Sequence, residues 1–157
     1  MSMKQDKQNG VSLIEVLVTL VILSIGLLGI AGMQVMSVKN TQVAAQRSIA
    51  TQQAYDIAER IRANIGIPTV PGGAVNGSYD NLTAATPADP ACGGPCTPVQ
   101  QAVADHRAWN LENGRVLPAG TGTVLGTIIA GYTVTLNWVE QSEGGPIARS
   151  FVTVVHP

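Results

Sequence analysis

With 157 residues the chain is sized for one compact domain plus an appended segment. Charged residues make up only 12% and hydrophobic residues 45%, which is too apolar for a disordered chain. The net charge of -1, the lack of a Lys/Arg cluster beyond the first few residues and an aromatic content of 4% argue against the basic patch or stacking platform that a nucleic-acid partner requires.

The apolar residues are concentrated near the N-terminus. A short polar leader, Met1 to Gly10, carries Lys4, Asp6 and Lys7. From Val11 to Met33 the only polar interruptions are Ser12, Glu15, Thr19 and Ser24. This stretch reaches the roughly 20 apolar residues needed to cross a bilayer. Lys4 and Lys7 place the N-terminus in the cytoplasm and everything after Met33 on the far side, by the positive-inside rule. A cleaved secretory signal fits poorly, because the run exceeds the usual h-region of roughly 7–15 residues and no small-x-small site ends it.

The informative stretch is Gly10-Val11-Ser12-Leu13-Ile14-Glu15-Val16-Leu17-Val18. A polar leader ends in glycine, an apolar helix follows at once, and a carboxylate occupies the fifth position after the glycine. An ionised carboxylate at mid-membrane costs about 2.5–3.5 kcal/mol on translocon scales. The span holds no Lys or Arg, so the partner of Glu15 must come from elsewhere; failing that, the side chain snorkels to the headgroups. Here the sequence resembles the prepilin family, which comprises the type IV pilins and the type II secretion pseudopilins. The resemblance implies that a membrane-embedded aspartyl prepilin peptidase cuts after Gly10 and methylates the new N-terminus at Val11. It implies that Glu15 then pairs with the N-terminal amine of a neighbouring subunit as a filament grows. Most members carry phenylalanine where this chain has Val11. The pairing is physically reasonable, since an amine and a carboxylate in apolar surroundings compensate one another, and losing either strands a buried charge.

No proline occurs between Val11 and Ile67. Ala50, Ala54, Ile57, Ala58, Ile61 and Ile65 form a stripe at i, i+3 and i+4 spacing. Asp56 and Arg60 stand at i, i+4 in the favourable order, and Gly66 and Pro68 stop the pattern. One helix from Ser12 to Ile65 would be roughly 80 Å long, apolar all round in its first half and amphipathic in its second. Gly26, Gly29 and Gly32 recur at spacing three. They suit close packing through small residues, or a deliberate weak point, each costing about 1 kcal/mol against alanine in a helix. The resemblance implies the second, since pilin helices lose helicity in this region within filaments.

Pro68 to Pro95 reads as irregular loop. Cys92 and Cys96, the only two cysteines, lie on the oxidising side of the membrane and read as a small-loop disulfide. Zinc needs four ligands, and His106 with distant His156 makes no convincing set, so no metal site is expected. Thr97-Pro98-Val99-Gln100 is a capping box opening a helix to Asn113, with Gly114 just past its end. Val99, Ala102, Val103 and His106 share one face, and His106 and Trp109 read as packing residues. Asp105 adjoins His106, but no nucleophile stands nearby to make a catalytic set. Tyr132–Trp138 and Phe151–Val155 alternate as half-buried strands around a turn at Glu143–Pro146, and Val124–Ala130 gives a third strand broken by Gly126. The expected fold is α+β, a long N-terminal helix packed by its second half on a small antiparallel sheet. The segments are a leader (1–10), a transmembrane and assembly half-helix (11–33), a periplasmic half-helix (34–66), and a loop region with the sheet (67–157).

Asp56-Ile57-Ala58-Glu59-Arg60-Ile61-Arg62-Ala63-Asn64, Trp109, Leu117-Pro118 with Gly120 and Gly122, Tyr132 and Trp138 together resemble the PilV-type minor pilins. This implies a single-pass inner-membrane protein that moves into the pilus at the cell surface. Its partners would be other minor pilins, the major pilin, the prepilin peptidase, inner-membrane lipid and a tip adhesin. It would prime or modify pilus assembly and support adhesion and twitching motility, without a cofactor, metal or catalytic residue. A type II secretion minor pseudopilin would carry the same anchor. An anchored enzyme would need a polar constellation that the sequence lacks, and a simple anchored binding domain would need neither Gly10 nor Glu15.

Overall fold

The computed structural model describes residue 10 and residues 12–65, 77–142 and 144–156. Its elements in chain order are helix α1 (Leu13–Ile65), strand β1 (Asn81–Leu82), helix α2 (Pro98–Val116), and strands β2 (Thr121–Thr127), β3 (Gly131–Ser142) and β4 (Gly145–Val155). The expected α+β layout is present: a long apolar N-terminal helix followed by a small antiparallel sheet. The chain divides into two units, Met1–Gln42 and Val43–Pro157.

In the first unit, α1 is long and apolar enough to cross a membrane. Its large side chains, from Leu13 to Val38, all face outward. The polar interruptions are largely settled within the helix itself. The Thr19 hydroxyl donates to the Val16 carbonyl at 2.8 Å, and the Ser24 hydroxyl to that of Leu20 at 2.7 Å. Such back-bonding makes a hydroxyl compatible with an apolar solvent. A methyl group added at Gly26, Gly29 or Gly32 would meet nothing within 4 Å among the described residues, so no packing contact there calls for glycine.

In the second unit, the later turns of α1 bury Ala50, Ala54, Ile57, Ala58, Ile61 and Asn64. This is the expected stripe, with Asn64 closing it and Ile65 only partly buried. Arg60 Nε donates to Asp56 at 2.8 Å, as the spacing requires. The sheet order is β1-β2-β3-β4, antiparallel throughout. The register places Tyr132, Val134, Leu136, Trp138 and Glu140 of β3 on the buried face. Ile57 and Ile61 join Tyr79, Trp109, Leu117, Val124, Tyr132, Val134 and Leu136 in one core. At about 25 cal/mol per Å2 of apolar area, each such side chain contributes roughly 1.5–3 kcal/mol.

Four local expectations are corrected. Helix α2 runs on to Val116, so Gly114 lies inside it; the stop is set by Pro118, which holds Leu117 extended while the Leu117 N–H caps the Asn113 carbonyl at 3.1 Å. Val99 is 59% exposed, because it sits in the first turn at the margin of the buried face. Strand β2 begins at Thr121, and Gly126 pairs with Tyr132 without breaking it. A methyl group there would lie 2.2 Å from the Gly131 carbonyl oxygen, at a φ of +144°, so glycine keeps the ladder closed. The two-residue strand β1, too short to show periodicity, completes the sheet edge. The stop at Gly66 and Pro68, and Glu143 in the turn, lie outside the described residues.

Two phenols are tied into this domain. Tyr79 donates to Asp105 at 2.6 Å and accepts from Asn64 at 2.9 Å, and Tyr132 donates to Asp80 at 3.1 Å. Burial, and then the carboxylate acceptors, push both phenols up, Tyr132 to about 12. An unfolded chain loses these protons near pH 10. Between roughly pH 10 and 12 the unfolded state therefore binds fewer protons than the folded one, and stability falls as pH rises. The urea midpoint should hold steady up to about pH 9 and decline above about 10, and Tyr132→Phe should make the decline shallower.

Candidate functional site

The first turn of α1 is built around Ser12, whose carbonyl accepts from the Glu15 N–H at 3.0 Å and the Val16 N–H at 3.3 Å. Gly10 is exposed just ahead of it, and Val11 lies outside the described residues. Glu15 is exposed in that first turn, where a carboxylate suits the positive end of the helix dipole. It is the one charged side chain between Leu13 and Val38. Among the described residues its carboxylate accepts no hydrogen bond and forms no ion pair. Thr19 and Ser24 satisfy themselves locally, so Glu15 alone leaves an unmet electrostatic demand on this apolar surface.

Three polar arrangements stand out among the described residues of the second unit. Cys92 and Cys96 are joined in a disulfide with a Cα–Cα distance of 5.3 Å. The segment before it is laid against α2 through its main chain. The Thr83 carbonyl accepts from His106 Nε2 at 2.8 Å and from Asn110 Nδ2 at 2.9 Å, and the Pro87 carbonyl from Arg107 Nη1 at 2.8 Å. A carbonyl only accepts, so His106 carries its proton on Nε2. This bond and the burial of His106 and Trp109 make both structural. Trp109 adds a bond of its own, from Nε1 to the Gln53 carbonyl at 2.8 Å.

The other two arrangements were not read from the sequence. Asp105 is buried and gathers Tyr79, Gln101 at 2.9 Å and Arg60 at 3.5 Å, which joins α1, the loop and α2. Glu140 is also buried and accepts from Arg149 Nε at 2.9 Å and Arg47 Nε at 3.4 Å. Burial alone would raise this carboxyl; the Arg149 and Arg47 guanidiniums outweigh it and hold Glu140 below its usual value. The strict alternation from Tyr132 to Trp138 carries Glu140 onto the inner face, and that was the available signal. Asp105 had only its place beside His106. No group of three or more metal-ligating side chains occurs among the described residues.

Residues 5–31 match the model of the prokaryotic N-terminal methylation motif. No curated protein and no solved structure gives a match. The matched span contains Gly10, Val11 and Glu15. The motif supports a type IV pilin or pseudopilin-like protein of the pilin superfamily and points to a structural protein rather than an enzyme. With the long apolar helix, it fits membrane anchoring.

Proposed function

We propose that the chain is a minor pilin of a type IV pilus, of the PilV type. In this reading it is held in the inner membrane with its N-terminus cytoplasmic and its sheet domain periplasmic. It is cut by the prepilin peptidase between Gly10 and Val11, methylated at Val11, and drawn into the filament with other minor pilins and the major pilin. There it primes or modifies assembly, presents a tip adhesin, and supports adhesion and twitching motility. The observation that carries the reading is Glu15, a lone charge on an apolar helix directly after the glycine that ends a polar leader. Neither membrane anchoring nor folding of the sheet domain calls for that carboxylate, whereas pairing with another subunit's amine does.

Intact-mass measurement of the membrane or filament form tests it. The expected result is loss of residues 1–10 and one added methyl group. Retention of the leader in cells with an active peptidase would overturn the proposal.

A further inference from the structure

A groove of about 430 Å3 opens beside β3 and β4, lined by Arg47, Thr51, Trp138, Arg149, Ser150 and Phe151. Two of the lining residues, Arg47 and Arg149, share one carboxylate outside the lining. Glu140, 4% exposed, is held by two guanidiniums, each through Nε. One arginine would have neutralised that carboxylate; the second leaves the trio with a net charge of +1. Both arginines stand partly in solvent, their side chains 59% and 44% exposed. With Nε committed to Glu140, the terminal Nη groups of both have no partner among the described residues. A guanidinium carries five donors in a fixed fork, so an edge of each remains to grip a second anion.

The groove walls select among anions. Trp138 and Phe151 give it an apolar side, and its volume lies within the range of small-ligand sites, roughly 300–1,000 Å3. A charge of +1 is cancelled by a monoanion, and an apolar wall suits the aliphatic stem that carries one. Among the described residues the Trp138 indole N–H is buried without an acceptor.

We propose that this groove receives the carboxylate of an acidic side chain from a neighbouring protein subunit, gripped between the Nη edges of Arg47 and Arg149. That the neighbour is a filament subunit rests on the function proposed above; the groove's choice of a carboxylate does not. The two fail separately, because processing of residues 1–10 reads the first and a titration reads the second.

The titration uses the full chain in zwitterionic micelles and a blocked alanine pentapeptide with one central glutamate. The chain has 2 tryptophans, so two indole N–H signals report. Trp138 lies in the groove, and Trp109, bonded to the Gln53 carbonyl, is the internal control for folding. The expected result is a saturable shift of the Trp138 indole and Arg149 Nε signals. The matching glutamine peptide should leave them in place. R149Q and R47Q should each weaken the response about tenfold while the Trp109 signal stays put. No response, an equal response to the glutamine peptide, or a response only to phosphatidylglycerol added to the micelles would overturn the proposal, the last by making the groove a lipid site.

Discussion

On the proposed pilin function, Glu15→Ala is expected to lower the amount of the chain recovered in sheared filaments by at least about tenfold, while membrane insertion and removal of residues 1–10 continue. Breaking one side of a buried ion pair costs about 3–5 kcal/mol, and tenfold corresponds to about 1.4 kcal/mol, so partial hydration of the site still leaves a measurable loss. The Val43–Pro157 unit should fold unchanged, since its core is drawn from Ala50 onward and contains no residue near position 15. Pairing within one subunit is an unattractive alternative: after cleavage the amine and Glu15 would share the same short stretch of helix. Crosslinked membranes and sheared filaments, compared for wild type and variant, decide the matter. Normal incorporation would make Glu15 a residue that merely reaches for the headgroups, with recruitment left to the sheet domain.

A second large effect is expected at Gly122, in the middle of the domain. A methyl group there would lie 2.3 Å from Cη2 of Trp109 and 2.8 Å from Nδ2 of Asn113. Trp109 cannot retreat, because it is fully buried and its indole is fixed to the Gln53 carbonyl at 2.8 Å. Gly122→Val should therefore destabilise the domain by about 3 kcal/mol or more, read as a lower urea midpoint of the full chain in detergent. Gly144→Ala, where the new methyl meets nothing within 4 Å among the described residues, should be close to neutral. Trp109→Phe should shrink the Gly122→Ala penalty, since the pair is in contact and the two changes will not add.

The elements that could be read from the sequence were those with a period. The buried stripe from Ala50 to Ile61 repeats as a helix does, and Tyr132 to Trp138 alternates as a strand does, so both were placed with their correct faces. The capping box at Thr97 and Gln100 was also legible, because it is a local exchange between a side chain and the backbone; its return bond, Thr97 N–H to Gln100 Oε1, measures 3.0 Å. What escaped was non-local or too short. Strand β1 has two residues and exists only because Leu125 and Val124 offer it a ladder. The buried face of α2 is mostly polar, with Asp105, His106, Asn110 and Asn113, so a hydrophobic count put that face at Val99, Ala102, Val103 and His106. Each of these polar groups except Asn113 is held by a partner more than twenty residues away, and no window along the chain shows such a pairing. Gly10 and Glu15 fall inside the matched span 5–31, and Glu15 stands out in sequence because a carboxylate inside an apolar run needs no neighbour to be noticed.

The segment over α2 has a practical consequence for engineering. Residues 83–91 are mostly exposed, and the bonds that fix their path end on the carbonyls of Thr83, Ala85 and Pro87. Every amino acid supplies a carbonyl, so these anchors do not depend on the side chains at 84, 86 and 88; Asp89, whose carboxylate accepts from the Ala91 N–H at 3.0 Å, is the position to keep. Replacing Ala84, Thr86 or Ala88 with charged, aromatic or reactive residues leaves each of those anchors in place. The surface chemistry of this stretch is thus separable from the stability of the domain. A dye, an epitope or an affinity handle written there would be presented on a path already fixed by α2 and closed off at the Cys92–Cys96 bridge.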